Sequence, residues 1–251
     1  MRTLIALCLM LSPAAFAEET AQLIAFTEGR YSEAVTLAEA QPSADNLAFA
    51  ARSLLAEAMS VPDHIPPQDK AVLAEIYARR ALTINSDHVE ARLQLAIALS
   101  LRARPLTTRE ARRAGYGGEA KGLAMSVLDD DPGNMYAHGF MAVWNIEVVR
   151  RGGRLGASIM GASVSKARRH YHAAIAENGD DASTHWQYAK ALTALNPKKY
   201  RSEIDTALDT AVSAQADSEL EAIMQARAAE LKTALSTQSR KACQDLAEFM
   251  L

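Results

Sequence analysis

The chain has 251 residues, of which 49% are hydrophobic and 23% charged, and its formal net charge is −3. A general nucleic-acid binder carries a basic excess, so this charge argues against that class. Aromatic residues make up only 6% while Ala and Leu recur throughout, which favours closely packed helices over a β-sandwich.

The N-terminus has the pattern of a secretory signal peptide. Arg2 supplies a positive start, residues 4–11 form an apolar run too short to cross a bilayer, and a small-x-small cleavage motif ends at Ala17. The alternative is a buried N-terminal helix. We expect cleavage after Ala17, which divides the chain into a signal peptide (1–17) and a periplasmic helical domain (18–251). No second apolar stretch of membrane-spanning length follows, so no integral membrane segment is expected after cleavage.

An internal repeat runs through the rest of the chain. Four segments, preceded by a weaker copy, carry mostly small residues at positions i, i+4 and i+7, a spacing that marks one face of a helix. Eleven residues after each segment a second helical face begins, with a large residue, then a small one, and an apolar one three further on. This pattern predicts successive helix–turn–helix units. Their first anchors are Ala34, Ala74, Ala120, Ala167 and Ile204.

These units resemble the tetratricopeptide (TPR) family. There, a helix with a bulky, a small and an apolar residue is followed by one with Ala, an aromatic residue and Ala, and Pro closes the unit. Tyr171 stands between Ala167 and Ala174 in this pattern, and segments 29–34 and 131–134 match the family's internal and closing turns. The resemblance implies an all-α, TPR-like solenoid of about five helix–turn–helix units with a C-terminal capping helix.

The units also depart from the family pattern. Ser86 and Gly179 stand where Pro is expected, and His138 and His185 stand where Trp is commonest. Because these histidines fill equivalent repeat positions, we expect them to be structural. The alternative architecture is an irregular helical bundle, but the shared register of the units favours the solenoid.

The links inside the units are long and variable, at 15, 21, 22 and 12 residues in chain order. In a solenoid these insertions would all project from one edge, where per-repeat insertions often form a binding face. The region from Met135 to about Leu235 is similar to two TPR subgroups. These are the bacterial relatives of the regulator-of-microtubule-dynamics proteins and the periplasmic TPR component of tripartite (TRAP) solute transporters.

The most unusual insertion contains Arg150, Arg151 and Arg154, and we interpret it as a basic loop. Residues 156–163 approximate a phosphate-binding loop but lack its Lys and follow no predicted strand, so nucleotide binding is not expected. A mobile loop of this charge would suit an anionic partner or an anionic membrane surface. The alternative is a flexible insertion with solvated arginines.

The sequence offers no positive signal for catalysis, a cofactor or a metal. His170 and His172 are two residues apart, so on a helix they point in different directions. Signal cleavage would remove Cys8 and leave Cys243 alone, without a recognisable activating context. We therefore predict a protein that is not an enzyme.

The resemblance implies that the first helix of each unit lines a concave groove. An apolar lining with one aromatic anchor and one cation suits an extended or helical peptide, and also a small apolar or acidic ligand. Alternatively, the aromatic side chains pack against the insertions and fill the groove. The family's groove positions fall on Leu93, Ile97, Tyr136, Val143, Ile146, Trp186 and Lys190.

Three functional hypotheses follow. The first is an exported TPR-type scaffold or adaptor that binds a protein or peptide partner in the groove. The alternative is a periplasmic accessory component of a solute transporter that binds a small apolar or acidic ligand. The third, an enzyme of unfamiliar type, has no residues in the sequence that argue for it.

Overall fold

A computed structural model describes residues 21–61, 67–176 and 179–250. The predicted signal peptide and its cleavage site at Ala17 lie outside these residues. The described residues form helices and turns without a strand, which confirms the prediction of an all-α protein. None of the described helices is both long enough and apolar enough to span a membrane.

The helices follow one another through short turns, and their bounds in chain order are α1 (described over 21–27), α2 (Tyr31–Glu39), α3 (Ala44–Met59), α4 (Gln68–Ile84), α5 (Val89–Ala103), α6 (Thr108–Ala114), α7 (Tyr116–Asp130), α8 (Met135–Met160), α9 (Val164–Ala174), α10 (Ala182–Leu195), α11 (Arg201–Ser213), α12 (Glu219–Thr237) and α13 (Arg240–Phe249).

Side-chain caps determine where most of these helices begin. At eight N-termini a polar side chain accepts a hydrogen bond from the backbone N–H three residues on, which satisfies one of the unpaired donors of the first turn. The capping residues are Ser43, His88, Thr107, Asn134, Ser163, Asp181, Ser218 and Ser239.

The helices pack in pairs in chain order. α3 lies against α4, α5 against α7, α8 against α9, and α10 against α11. The first helices of several successive pairs also touch, as α3 does with α5, α8 with α10, and α10 with α12. The predicted small anchors, such as Ala74, Ala124 and Ala174, have no exposed surface, because their size allows the neighbouring helix to approach closely.

One hydrogen bond recurs at equivalent positions of three pairs. Each time, the side chain at the start of the first helix donates to the backbone carbonyl six residues earlier, in the turn that ends the preceding pair. It therefore ties each helix to the turn before it. The donor and acceptor residues are Arg92 and Ser86 (3.3 Å), His138 and Pro132 (3.0 Å), and His185 and Gly179 (2.8 Å).

Two arginines connect regions that are distant in the chain. The Arg227 guanidinium of α12 donates to the carbonyls of Met59 (2.6 Å) and Val61 (2.9 Å), at the end of α3. The Arg104 guanidinium, after α5, donates to the three carbonyls of residues 248–250 at the end of α13. Because helix C-termini carry partial negative charge, these cations stabilise the ends they contact. The C-terminal helices are thereby held against the N-terminal part of the domain.

Candidate functional site

The predicted groove residues divide sharply by exposure. Trp186 and Ile146 have no exposed surface and belong to the core formed by helices α8 to α13. Leu93 is also buried, while Ile97 and Val143 are half-buried. Tyr136 is 66% exposed. The structure therefore does not bring the seven residues together on one open surface.

Lys190 is the remaining predicted groove residue, and its environment is unusual. It follows Trp186 by one helical turn in α10, with its Nζ atom 5.6 Å from the centroid of the Trp186 ring. The side chain is half-buried, and among the described residues its ammonium has neither a hydrogen-bond partner nor an ion-pair partner. An ammonium in this state lacks both full hydration and a compensating negative charge.

The pKa of Lys190 reflects this environment. Desolvation lowers it to about 7, and the nearby positive charge of Arg104 acts in the same direction. Glu147 opposes the shift, and Arg227 adds to it. Lys190 is partly buried, and the surrounding protein limits the water shell of its ammonium.

Four helices or their ends contribute charges around this lysine. We define the Lys190 cluster as Lys190, Arg104, Glu147, Arg150, Arg227 and Glu248. Arg150 pairs with both carboxylates, at 2.7 Å to Glu147 and 3.0 Å to Glu248. The cluster thus contains four cations and two carboxylates, and both carboxylates are engaged by the same arginine. The positive excess at Lys190 suits an anionic group.

The segment expected to be a basic loop is helical. Arg150 and Arg151 lie in the first arm of α8, and Arg154 lies in the second arm, beyond a break at Gly153 (φ 58°, ψ −162°). Arg150 belongs to the Lys190 cluster. Arg151 donates to the carbonyls of Ala103 (3.1 Å) and Leu106 (2.5 Å), at the end of α5. Of these three arginines only Arg154 is exposed, because Arg150 pairs with carboxylates and Arg151 donates to a helix end.

Two of the histidines, His138 and His170, form a pair that the sequence did not indicate. The Nδ1 atoms of His138 and His170 are 2.8 Å apart. The His138 Nε2–H donates to the Pro132 carbonyl, so His138 Nδ1 accepts the proton that His170 donates. Burial, and secondarily the neighbouring His138, lower the pKa of His170 to about 4. His170 is therefore neutral at pH 7, and its hydrogen bond with His138 links α9 to α8.

The described residues offer neither a reactive cysteine nor a metal-binding group. Cys243 is buried, its thiol donates to the carbonyl of Ala234 (3.3 Å), and desolvation raises its pKa, which disfavours the reactive thiolate. Within the described ranges, no group of three or more His, Cys, Asp or Glu side chains could hold a metal ion.

Comparison with known proteins places the chain in no established group. No protein-family model matches it, and no match is found among curated proteins. The description therefore rests on the fold and the site: an all-α protein of paired helices with a cationic cluster centred on a half-buried lysine.

Proposed function

We propose that this protein is a TPR-type helical-repeat binding protein that takes a carboxylate-bearing ligand at the Lys190 cluster. The observation that carries the proposal is the ammonium of Lys190, which is half-buried, repelled by Arg104 and Arg227, and without a hydrogen-bond or ion-pair partner among the described residues. Such a group is destabilising unless something binds it. A ligand carboxylate would supply the missing negative charge and raise the pKa of the amine.

Two observations support the TPR assignment. The helices pair in chain order, with contacts between the first helices of several successive pairs. The equivalent side chains Arg92, His138 and His185 also make the same hydrogen bond six residues back, as expected for copies of one structural unit. In this proposal the first helices form the concave side, and α12 and α13 close it at the C-terminal end.

The carboxylate can come from two sources, which correspond to the two functions that the sequence suggested. An acidic side chain or C-terminus of a protein partner would make the chain an exported adaptor or scaffold. A small organic acid would make it an accessory solute-binding component. In either case we propose binding rather than catalysis, in the periplasm.

The test is titration calorimetry of the purified protein with short mono- and dicarboxylates in one arm and acidic peptides in the other. Lys190→Met removes the charge at nearly constant volume and should weaken binding about ten- to a hundredfold. Lys199→Met is the matched control, because Lys199 also lies over an aromatic ring, 5.1 Å from the centroid of Tyr200, but is exposed. Its affinity should be unchanged.

The outcomes distinguish the two possible sources of the carboxylate and also test the proposal itself. Binding of small acids alone would assign a solute-binding role, and binding of peptides alone would assign an adaptor role. If no carboxylate binds, or if Lys190→Met and Lys199→Met bind equally well, the Lys190 cluster is not the ligand site.

A further inference from the structure

Two insertions of the chain carry a strong concentration of positive charge. We define the insertion edge as segments 107–122 and 150–166, which enclose α6, the start of α7 and the second arm of α8. These segments contain eight Lys and Arg residues against two Glu, a net charge of +6 in a chain whose formal total is −3. The rest of the chain is correspondingly acidic, so positive charge is concentrated in the insertion edge.

Hydrogen bonds hold the two segments side by side. The Thr108 hydroxyl at the start of α6 donates to the Arg151 carbonyl at 3.3 Å. The Lys121 ammonium of α7 donates to the Met160 carbonyl at 3.1 Å, at the end of the second arm of α8. The two insertions therefore form one continuous surface, although they are about thirty to forty residues apart in sequence.

The cations of α6 are available to a partner, whereas the glutamates are not. Arg109, Arg112 and Arg113 are exposed on α6, a helix without a buried residue. The Glu110 carboxylate closes the capping box with Thr107. The Glu119 carboxylate pairs with Arg79 of α4 at 2.8 Å. The two carboxylates thus have local partners and leave the arginines of α6 uncompensated.

Large aliphatic side chains project from the same edge. Leu155 is 74% exposed, the highest value among the large hydrophobic residues that the structure describes, and Ile159 is 61% exposed. They are four residues apart in the second arm of α8, so they share one face of that helical turn. Arg154 precedes them directly and is also exposed. The arm is therefore amphipathic, with an aliphatic face inside a basic surface.

We propose that the insertion edge docks on an anionic lipid membrane surface, with Leu155 and Ile159 entering the interface and the arginines contacting headgroup phosphates. Charge complementarity argues for an anionic occupant. The isolated aliphatic side chains favour lipid over an acidic protein, because protein interfaces concentrate their binding energy in well-packed pockets and aromatic anchors. This surface offers neither at its exposed positions. Arg150 lies in both the insertion edge and the Lys190 cluster, and Glu147 and Glu248 compensate its charge. The proposal rests instead on the α6 arginines, Arg154, Leu155 and Ile159, none of which belongs to the cluster.

The experiment is co-sedimentation of the purified full chain with vesicles of phosphatidylglycerol and phosphatidylcholine, compared with vesicles of phosphatidylcholine alone. We expect binding to the anionic vesicles that weakens as salt is raised. Leu155→Ser combined with Ile159→Ser should reduce the affinity about tenfold or more. Arg109→Gln, Arg112→Gln and Arg113→Gln together should reduce it similarly and flatten its salt dependence.

A matched control is available on α4. Val72 and Ile76 are also exposed aliphatic residues four apart, at 39% and 47%, but they lie outside the insertion edge. Val72→Ser combined with Ile76→Ser should leave vesicle binding unchanged, and circular dichroism should show equal helical content in all variants. The N-terminal residues are common to every variant and cannot produce a difference between them.

Three results would overturn the proposal. The first is equal binding to neutral and anionic vesicles, and the second is undiminished binding by the Leu155/Ile159 variant. The third is absence of binding to the anionic vesicles. Capture of polyglutamate that the α6 arginine variant loses would then assign the surface to an acidic protein.

Discussion

The ammonium of Lys190 lies where water solvates it poorly and where Arg104 and Arg227 repel it. A residue at the surface of a solvated helix would not experience this combination. The resemblance to the TPR family selected Lys190 as the cation and Trp186 as an aromatic residue among the expected groove positions. It did not reveal the arginines, which come from α5 and α12.

We expect Lys190→Met to stabilise the protein at neutral and mildly acidic pH. The pKa of Lys190 is about 7 in the folded protein, below its ordinary value, so the unfolded chain binds more protons between about pH 7 and pH 10.4. The penalty for the charged lysine is therefore complete below pH 7 and disappears as pH rises through this window.

The expected gain is about 1–3 kcal/mol at pH 6, discounted because the side chain is half-buried, and it should shrink towards pH 10. Urea unfolding at the two pH values measures it. If Lys190→Met and Lys199→Met have equal unfolding free energies at pH 6, Lys190 is well solvated and the prediction is wrong.

The shared register of the helices can be examined through one small residue per unit. Ala56, Ala96, Ala142 and Ala189 occupy equivalent positions and are buried. Ala226, the equivalent residue of α12, is exposed. Local periodicity thus predicted the covered face of the four earlier helices but was wrong for α12, which packs against α10, α11 and α13 through a different face. That face contains the buried residues Met224, Ala228 and Leu231.

Ala189→Leu should overpack the contact of α10 with its neighbours and cost about 1–3 kcal/mol of unfolding free energy. Ala142→Leu in α8 should behave in the same way. Ala226→Leu is the control, since an exposed leucine in α12 meets no neighbouring helix and its cost should be under about 0.5 kcal/mol. Denaturant unfolding compares the three. Equal costs for Ala189→Leu and Ala226→Leu would contradict the assigned register.

At the scale of the whole molecule, α12 and α13 are held against the N-terminal part of the domain. Arg227 is buried and donates to the carbonyls of Met59 and Val61. Arg104 donates to the end of α13. Both arginines also raise the positive potential near Lys190, so the same contacts that close the fold shape the candidate site.

Arg227→Gln should destabilise the protein by about 2–3 kcal/mol, because it removes the buried, charged donor of two carbonyl groups at the end of α3. Hydrogen exchange should become faster in the last turn of α3 and in α12 together. Arg240→Gln serves as the control, since Arg240 is exposed at the start of α13. Unchanged stability and exchange in Arg227→Gln would mean that the two regions are not coupled through this residue.

The sequence by itself determined the helical character of the chain and the position of most helices. These depend on local information: spacings of three and four residues, caps such as Ser43 and Asp181, and turn residues such as Gly161. The last two helices, α12 and α13, also begin at such local signals, the caps Ser218 and Ser239. Interactions within one helical turn can be predicted from the sequence because they involve residues only three or four positions apart.

Tertiary structure alone decided which predicted site residues are accessible. Trp186 is buried by packing of α10 against other helices, whereas Tyr136, chosen by the same reasoning, is exposed. The contacts of Arg104 with residues 248–250 join positions more than 140 residues apart. Desolvation, and with it the lowered pKa of Lys190, depends on such distant neighbours because burial is a property of the surrounding protein rather than of the local chain.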